Sequence, residues 1–153
     1  MTSEQTGAPP RKRTEYYPLW LDDLADDVTL EAPAMNGTAR GADLVHEIVV
    51  RAREIYEFQE FSFHGRCGDY FLEDYASAVH GEPLRVIVLV SLNAEGKAEH
   101  VVVNHRPRSS LLLFSRLMHE KFAGTPTAAH FLADDELDAR PSMNTAAARP
   151  APS

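Results

Sequence analysis

Four strand patterns follow one another at residues 58–64, 70–79, 84–92 and 98–105, and their connections are too short for anything but antiparallel neighbours. Each connection carries glycine, in Gly65-Arg66-Cys67-Gly68, His80-Gly81-Glu82-Pro83 and Asn93-Ala94-Glu95-Gly96. Successive strand side chains point to opposite faces, so such a meander has one apolar face to cover. The cover has to come from the flanking segments. Upstream, from Ala42, the residues Leu44, Val45, Ile48, Val49, Ala52, Ile55 and Tyr56 recur at the helical period, with Glu47, Arg51, Arg53 and Glu54 on the remaining arc. Downstream, Pro107 opens a second helix through Leu111, Phe114, Leu117, Met118 and Phe122, which Gly124 and Pro126 stop. Helices on either side of a run of strands make the class α+β.

Ahead of the first helix, Tyr17, Trp20, Leu21 and Leu24 fall at helical spacing and predict a short helix with its Trp turned inward. That helix is expected to stop at an Asp26-Asp27 corner. A short strand over 28–32 then ends at Pro33, and Gly41 opens the amphipathic helix. This succession resembles the SnoaL-like and ketosteroid-isomerase-like branch of the nuclear-transport-factor-2-like superfamily. The resemblance implies a cone-shaped, curved antiparallel sheet wrapped around N-terminal helices, a small-molecule pocket at the open end, and a homodimer formed through the sheet. Here a C-terminal helix is added. The chain departs from the isomerases at each position where the resemblance would place a catalytic group. Ala32 precedes the Pro in place of an Asp, Val88 stands in place of a second acid, and the positions matching a catalytic Tyr fall in the tail near Ala8.

Length and composition fit one globular domain. A chain of 153 residues, 44% hydrophobic and 25% charged, can bury a sizeable core. Residues 1–14 are polar with Pro9-Pro10, and residues 138–153 are rich in Ala and Pro. Both stretches are expected to be disordered tails around a domain at 15–137. A net charge of −8, with Arg11-Lys12-Arg13 as the one dense basic run, speaks against nucleic acid as a partner. No segment approaches the roughly 20 apolar residues of a membrane span, so no membrane association is expected. Cys67 stands alone and residues 1–10 lack the apolar stretch of a signal peptide, which together predict a cytoplasmic protein. The seven His residues show no metal-ligand spacing, and Gly65-x-x-Gly68 is too short for a phosphate loop; neither metal nor cofactor is expected.

With the turns aligned to the pattern of the family it resembles, alternation points Phe61, Phe63, Phe71, Glu73, Tyr75, Ser77, Val79, Val86, Val88, Val90, Val101, Val103 and His105 into the pocket. A one-residue slip would exchange this set for the opposite face. The polar members, Glu73, Tyr75, Ser77 and His105, then converge in an apolar wall, as ligand sites do. In the catalytic reading His105 is the base, its unperturbed pKa about 6.5 suiting proton transfer, Glu73 orients it, and Tyr75 stabilises developing negative charge. In the alternative reading Glu73 and Tyr75 face away from the pocket and His105 simply ends a strand. Trp20 serves as pocket rim or as core, and Arg106, at the start of the last helix, is a candidate anion contact. The Leu111-Leu112-Leu113 run makes that helix apolar over a wide arc, which requires cover on more than one side, from a partner subunit or over the pocket mouth. Two functions follow. One is a pocket protein that binds a hydrophobic ligand without the isomerases' catalytic residues. The other is a cofactor-free isomerase, dehydratase or polyketide-cyclase-type enzyme using His105, Glu73 and Tyr75.

Overall fold

A computed structural model of the protein describes residues 16–133; both expected tails lie outside these residues. Six strands, β1 (Leu24–Glu31), β2 (Ala39–Arg40), β3 (Glu60–Cys67), β4 (Tyr70–Val79), β5 (Glu82–Leu92) and β6 (Ala98–Arg106), form one open sheet in the order β2-β1-β6-β5-β4-β3. Helices α1 (Ala42–Ile55) and α2 (Arg108–Lys121) pack against its inner face. The class is α+β with a cone-like sheet, as expected. One ladder differs: β1 pairs parallel to β6, so the sheet is mixed. No helix among the described residues is long and apolar enough to cross a membrane.

The N-terminal segment is the main departure. In place of a helix over 17–24, only a 3-10 turn at Leu19–Asp22 forms, burying Trp20 and Leu21. The chain then enters β1 directly. Asp26 and Asp27 lie inside the strand, exposed, where Leu24↔Ala98 gives way to Thr29↔His100. The extra residues on β1 make this a bulge, a device that absorbs polar residues in a strand and bends it. Extended pairing wins locally because it puts Val28 and Leu30 into the core, 0% and 2% exposed. At the end of the following loop Gly41 adopts φ +106° as its N–H bonds the Val28 carbonyl at 2.8 Å, a conformation an L side chain rarely takes.

The meander follows the alternation closely. Glu73, Tyr75, Ser77 and Val79 on β4, Val86, Val88 and Val90 on β5, and Val101 and His105 on β6 are all buried. The β4–β5 hairpin closes on His80 and Gly81, both at positive φ, the two-residue turn that matches strand twist. In β3 the expectation fails at one residue. Phe61 pairs with Tyr75 but Phe63 pairs with Asp74, so Ser62 is an inserted residue and the side-chain alternation reverses beyond it. Phe63 consequently leaves the inner face, is 43% exposed, and lies against Gly65, while His64 takes the position opposite Glu73.

Part of the cover for helix α2 comes from within the chain. Phe114 and Met118 face the core, and a second 3-10 turn, Pro126–His130, closes over its far side so that Phe131 stacks on Phe122 with ring centroids 6.0 Å apart. Ser115 ties these layers together. Its hydroxyl donates to the Ala34 carbonyl at 2.6 Å and accepts the Leu132 N–H at 2.9 Å.

Candidate functional site

The inner face of the sheet and the two helices enclose a cavity of about 50 Å3. Its apolar wall includes Leu30, Ile48, Val88, Val103, Phe114 and Met118, and Trp20 and Pro18 from the 3-10 turn region close one end. Ala32, just before Pro33, contributes only a methyl group. The polar groups of the wall are Arg53, Tyr56, Gln59, Glu73, Tyr75 and His105. Pockets for drug-sized ligands run to roughly 300–1,000 Å3, so this one, as it stands, admits a molecule of few atoms. Met35 and Met118 in the wall are the flexible side chains that could yield to a larger one.

Glu73 and His105, expected to pair, do not. In the sheet Glu73 faces Val88 and then Val103, whereas Tyr75 faces Val86 and then His105. Two different rows and an intervening strand, with strands about 4.8 Å apart, keep the carboxyl and the imidazole from direct contact. Each instead organises its own cluster.

Around Glu73, one oxygen, Oε2, accepts from the Tyr16 hydroxyl at 2.7 Å and from Trp20 Nε1 at 3.1 Å. No bond to Oε1 is found among the described residues. Arg53 donates to the Tyr16 carbonyl, and its guanidinium sits 5.3 Å from the Tyr17 ring centroid, fixing the N-terminal segment over this end of the cavity. Tyr16 also packs on Phe61 and His64, at 4.5 and 4.8 Å between centroids. Burial raises the Glu73 carboxyl above its ordinary range, although the bonds from Tyr16 and Trp20 and the charges of His64 and Arg53 oppose the shift. The Tyr16 hydroxyl is likewise pushed up, by burial first and then by Glu73.

Around His105, Nε2 lies 2.8 Å from the Tyr56 hydroxyl. Tyr75 is a hydrogen-bond partner of both Tyr56 and Gln59. Phe114 stacks on the imidazole, with centroids 4.3 Å apart and planes 30° apart, and stacks on Tyr56 at 5.4 Å. Burial lowers the imidazole to about 3, so the ring is neutral through the physiological range. A neutral, weakly basic imidazole is a poor proton acceptor at neutral pH, and Glu73 is the better matched acid–base group of the two. Burial also pushes both tyrosine hydroxyls up and keeps them protonated.

The remaining candidates divide. Trp20, Val88 and Val103 line the cavity, whereas Val101 is core and Phe71 packs on the core from its edge. Ser77 is buried, with no hydrogen-bond partner for its hydroxyl among the described residues, but away from the cavity wall. Phe61 meets the site only through Tyr16 and Tyr75. Phe63 is displaced by the bulge, and Arg106 sits exposed on the outer face opposite Arg85, since the residue after an inward His105 must point out. Neither contributes to the cavity. Sequence reasoning missed Tyr56, Gln59 and Arg53. Tyr56 was legible as an aromatic on the apolar face of α1, but nothing local marks its hydroxyl as a partner for a residue 49 positions on. Among the described residues no three His, Cys, Asp or Glu side chains gather as a metal site.

No family model matches the chain, and no curated protein matches it. Solved structures do. A bacterial protein with a cystatin-like fold from Silicibacter pomeroyi DSS-3 superposes with TM-score 0.64 at 19% identity, covering 69% of this chain and 75% of its own. A steroid delta-isomerase from Pseudomonas aeruginosa superposes with TM-score 0.63 at 19% identity, over 67% of this chain and 77% of that one. A de novo designed protein with a curved β-sheet follows at 0.51 and 18%, over 63% and 78%. At such identities the likeness is one of fold, and it agrees with the resemblance drawn from the sequence.

Proposed function

We propose that the chain is a small-molecule pocket protein of the SnoaL-like type, which holds a compact hydrophobic ligand between the sheet and the two helices. The observation that carries this reading is the composition of one wall. Apolar side chains from β1, α1, β5, β6 and α2 converge with buried Glu73, Tyr75 and His105 on a single cavity. Ala32 and Val88, which the resemblance aligns with the isomerases' acids, add only hydrocarbon to that wall, in keeping with binding in place of isomerase chemistry. Native mass spectrometry of the purified chain tests the proposal. A retained small molecule is expected, released by organic solvent, and absent from an Ala32→Leu variant that fills the cavity. Empty protein that also fails to take up small apolar compounds would count against it.

A second reading, a cofactor-free isomerase, dehydratase or cyclase, is favoured by one observation: Glu73 combines a raised pKa with an Oε1 for which no bond is found among the described residues. In that reading Glu73 carries the proton and Tyr75 and His105 act through the neutral hydrogen-bond chain. Turnover of an apolar carbonyl compound that Glu73→Gln abolishes, with ligand retention unchanged, would select it. For the partner, we propose a second copy of the chain on the outer face of the sheet, where the row Leu72, Leu89, Val102 is apolar and Leu89 is 38% exposed.

A further inference from the structure

We infer that residues 16–20 form a hinged strap over one end of the cavity, latched by Glu73 and Arg53, and that a ligand enters and leaves when this strap lifts. The inference rests on the pocket reading above and adds the route of access. Pro18 and Trp20 are the strap's share of the cavity wall. Main-chain hydrogen bonds of the turn stay within it: the Leu21 N–H bonds the Pro18 carbonyl and the Asp23 N–H the Trp20 carbonyl, each at 3.0 Å. β1 starts only at Leu24, so the strap lies outside the ladder. Side chains of β4 and α1 tie it down. Glu73 Oε2 accepts from the Tyr16 hydroxyl at 2.7 Å and from Trp20 Nε1 at 3.1 Å. Arg53, in the last turn of α1, donates to the Tyr16 carbonyl and lies 5.3 Å from the Tyr17 ring centroid. Because these contacts converge on two residues, they release together.

Just downstream the chain is fixed. Leu21 is 1% exposed in the core, the Asp23 carbonyl accepts the Ala98 N–H at 2.9 Å, and the Asp23 carboxylate meets Lys97 at 3.1 Å. A segment held by a side-chain latch on one side and by main chain on the other swings about their junction, here at Leu21. Leu19 is 79% exposed, so lifting the strap takes little from it; Trp20 is the side chain that leaves the core. Elsewhere the wall is pinned. In the loop after β1 the Ala34 carbonyl accepts from Ser115 at 2.6 Å, and the Asn36 N–H bonds the His130 carbonyl at 2.7 Å. Strands and helices carry most of the other lining residues. The strap is therefore the part of the wall that opens at least cost, as regions without ladder hydrogen bonds do.

Trp20 is the one tryptophan of the chain, so its indole N–H reports on the strap directly. Hydrogen exchange of the full chain, followed by NMR, is expected to show that indole less protected than the amides of β4 and β5, by about tenfold or more relative to their free rates. Tyr16→Phe removes one latch bond, keeps the ring on Phe61 and His64, and lies outside the cavity lining. It is expected to lower the indole protection about tenfold, the scale of one hydrogen bond. Fluoroethane and fluorobenzene, a small and a larger apolar probe, measure passage by 19F exchange. In Tyr16→Phe their association and dissociation rates are expected to rise together about tenfold with Kd unchanged, since the variant alters the strap and leaves the wall as it was. An indole as protected as the sheet amides overturns the inference, requires no variant, and leaves the pocket reading in place. Probe rates unmoved in Tyr16→Phe while indole protection falls also overturn it, since passage is then elsewhere. Binding of neither probe overturns the pocket reading and the gating with it.

Discussion

The Tyr56 hydroxyl stands 2.8 Å from Nε2 of His105, and this bond occupies the place that the catalytic reading of the sequence gave to Glu73. Two polar clusters therefore share one cavity wall without touching. Glu73 answers to Trp20 and Tyr16 from the N-terminal segment, and His105 answers to Tyr56 at the end of α1. The division gives the two groups opposite titration behaviour, and pH can separate them.

Glu73 has a raised carboxyl, so the folded state holds its proton to higher pH than the unfolded chain does. Stability from this group is full below the unfolded value of about 4.3 and is lost as pH rises through the folded value. Glu73→Gln, which keeps shape and loses titration, is expected to flatten that decline. Urea denaturation at a series of pH values checks it; an unchanged pH slope in the variant would show that the carboxyl does not titrate as described.

His105 works in the other direction. Its folded value of about 3 lies below the unfolded value of about 6.5, so protonation favours the unfolded chain. The contribution is present above about pH 6.5 and is lost as pH falls toward 3. His105→Gln can still hydrogen-bond Tyr56 and is expected to lose this acid-side penalty, giving a variant whose stability relative to the native chain improves steadily below pH 6 or so. Following His105 by NMR through the same range gives the independent value.

Met118 is fully buried and forms part of the cavity wall. Met118→Ala is expected to cost about 2–5 kcal/mol, as large-to-small core changes do. It should also admit bulkier apolar ligands than the native chain. Denaturation midpoints together with a size series of apolar probes measure both effects, and a stability loss without any change in ligand size limit would place the cavity elsewhere.

Leu89 tests the outer face. It is exposed at the centre of the row Leu72, Leu89, Val102, on the side away from the cavity. If two copies associate there, Leu89→Glu should convert the native dimer to monomer in light scattering after size exclusion, with an unchanged circular dichroism spectrum. A native chain that is already monomeric would dismiss this interface.

Much of the architecture was legible before any coordinates. Residues 42–56 read as a helix because seven apolar side chains recur at its period, and the helix spans Ala42–Ile55; β4 read correctly from end to end because alternation and two glycine turns bounded it. The helix expected over 17–24 does not form, because Tyr17, Trp20, Leu21 and Leu24 satisfy a helical period over too few residues to outweigh pairing with β6. Phe63 misled for a related reason. Nothing in residues 58–64 announces that Ser62 will bulge, and one inserted residue reverses every side chain beyond it.

Periodicity, which compares near neighbours, was therefore enough to mark the two long helices and the strands of the meander, and with the turns aligned to the family pattern it turned Glu73, Tyr75 and His105 inward. Only the tertiary structure decided which of them meet. Tyr56 reaches His105 across 49 residues and Tyr16 reaches Glu73 across 57, through a parallel β1–β6 ladder and a bulged β3 that set where each buried donor finds its acceptor. Hydrogen bonds of that sequence separation are consequences of packing, because a buried polar group takes whichever partner the assembled core brings within about 3 Å of it.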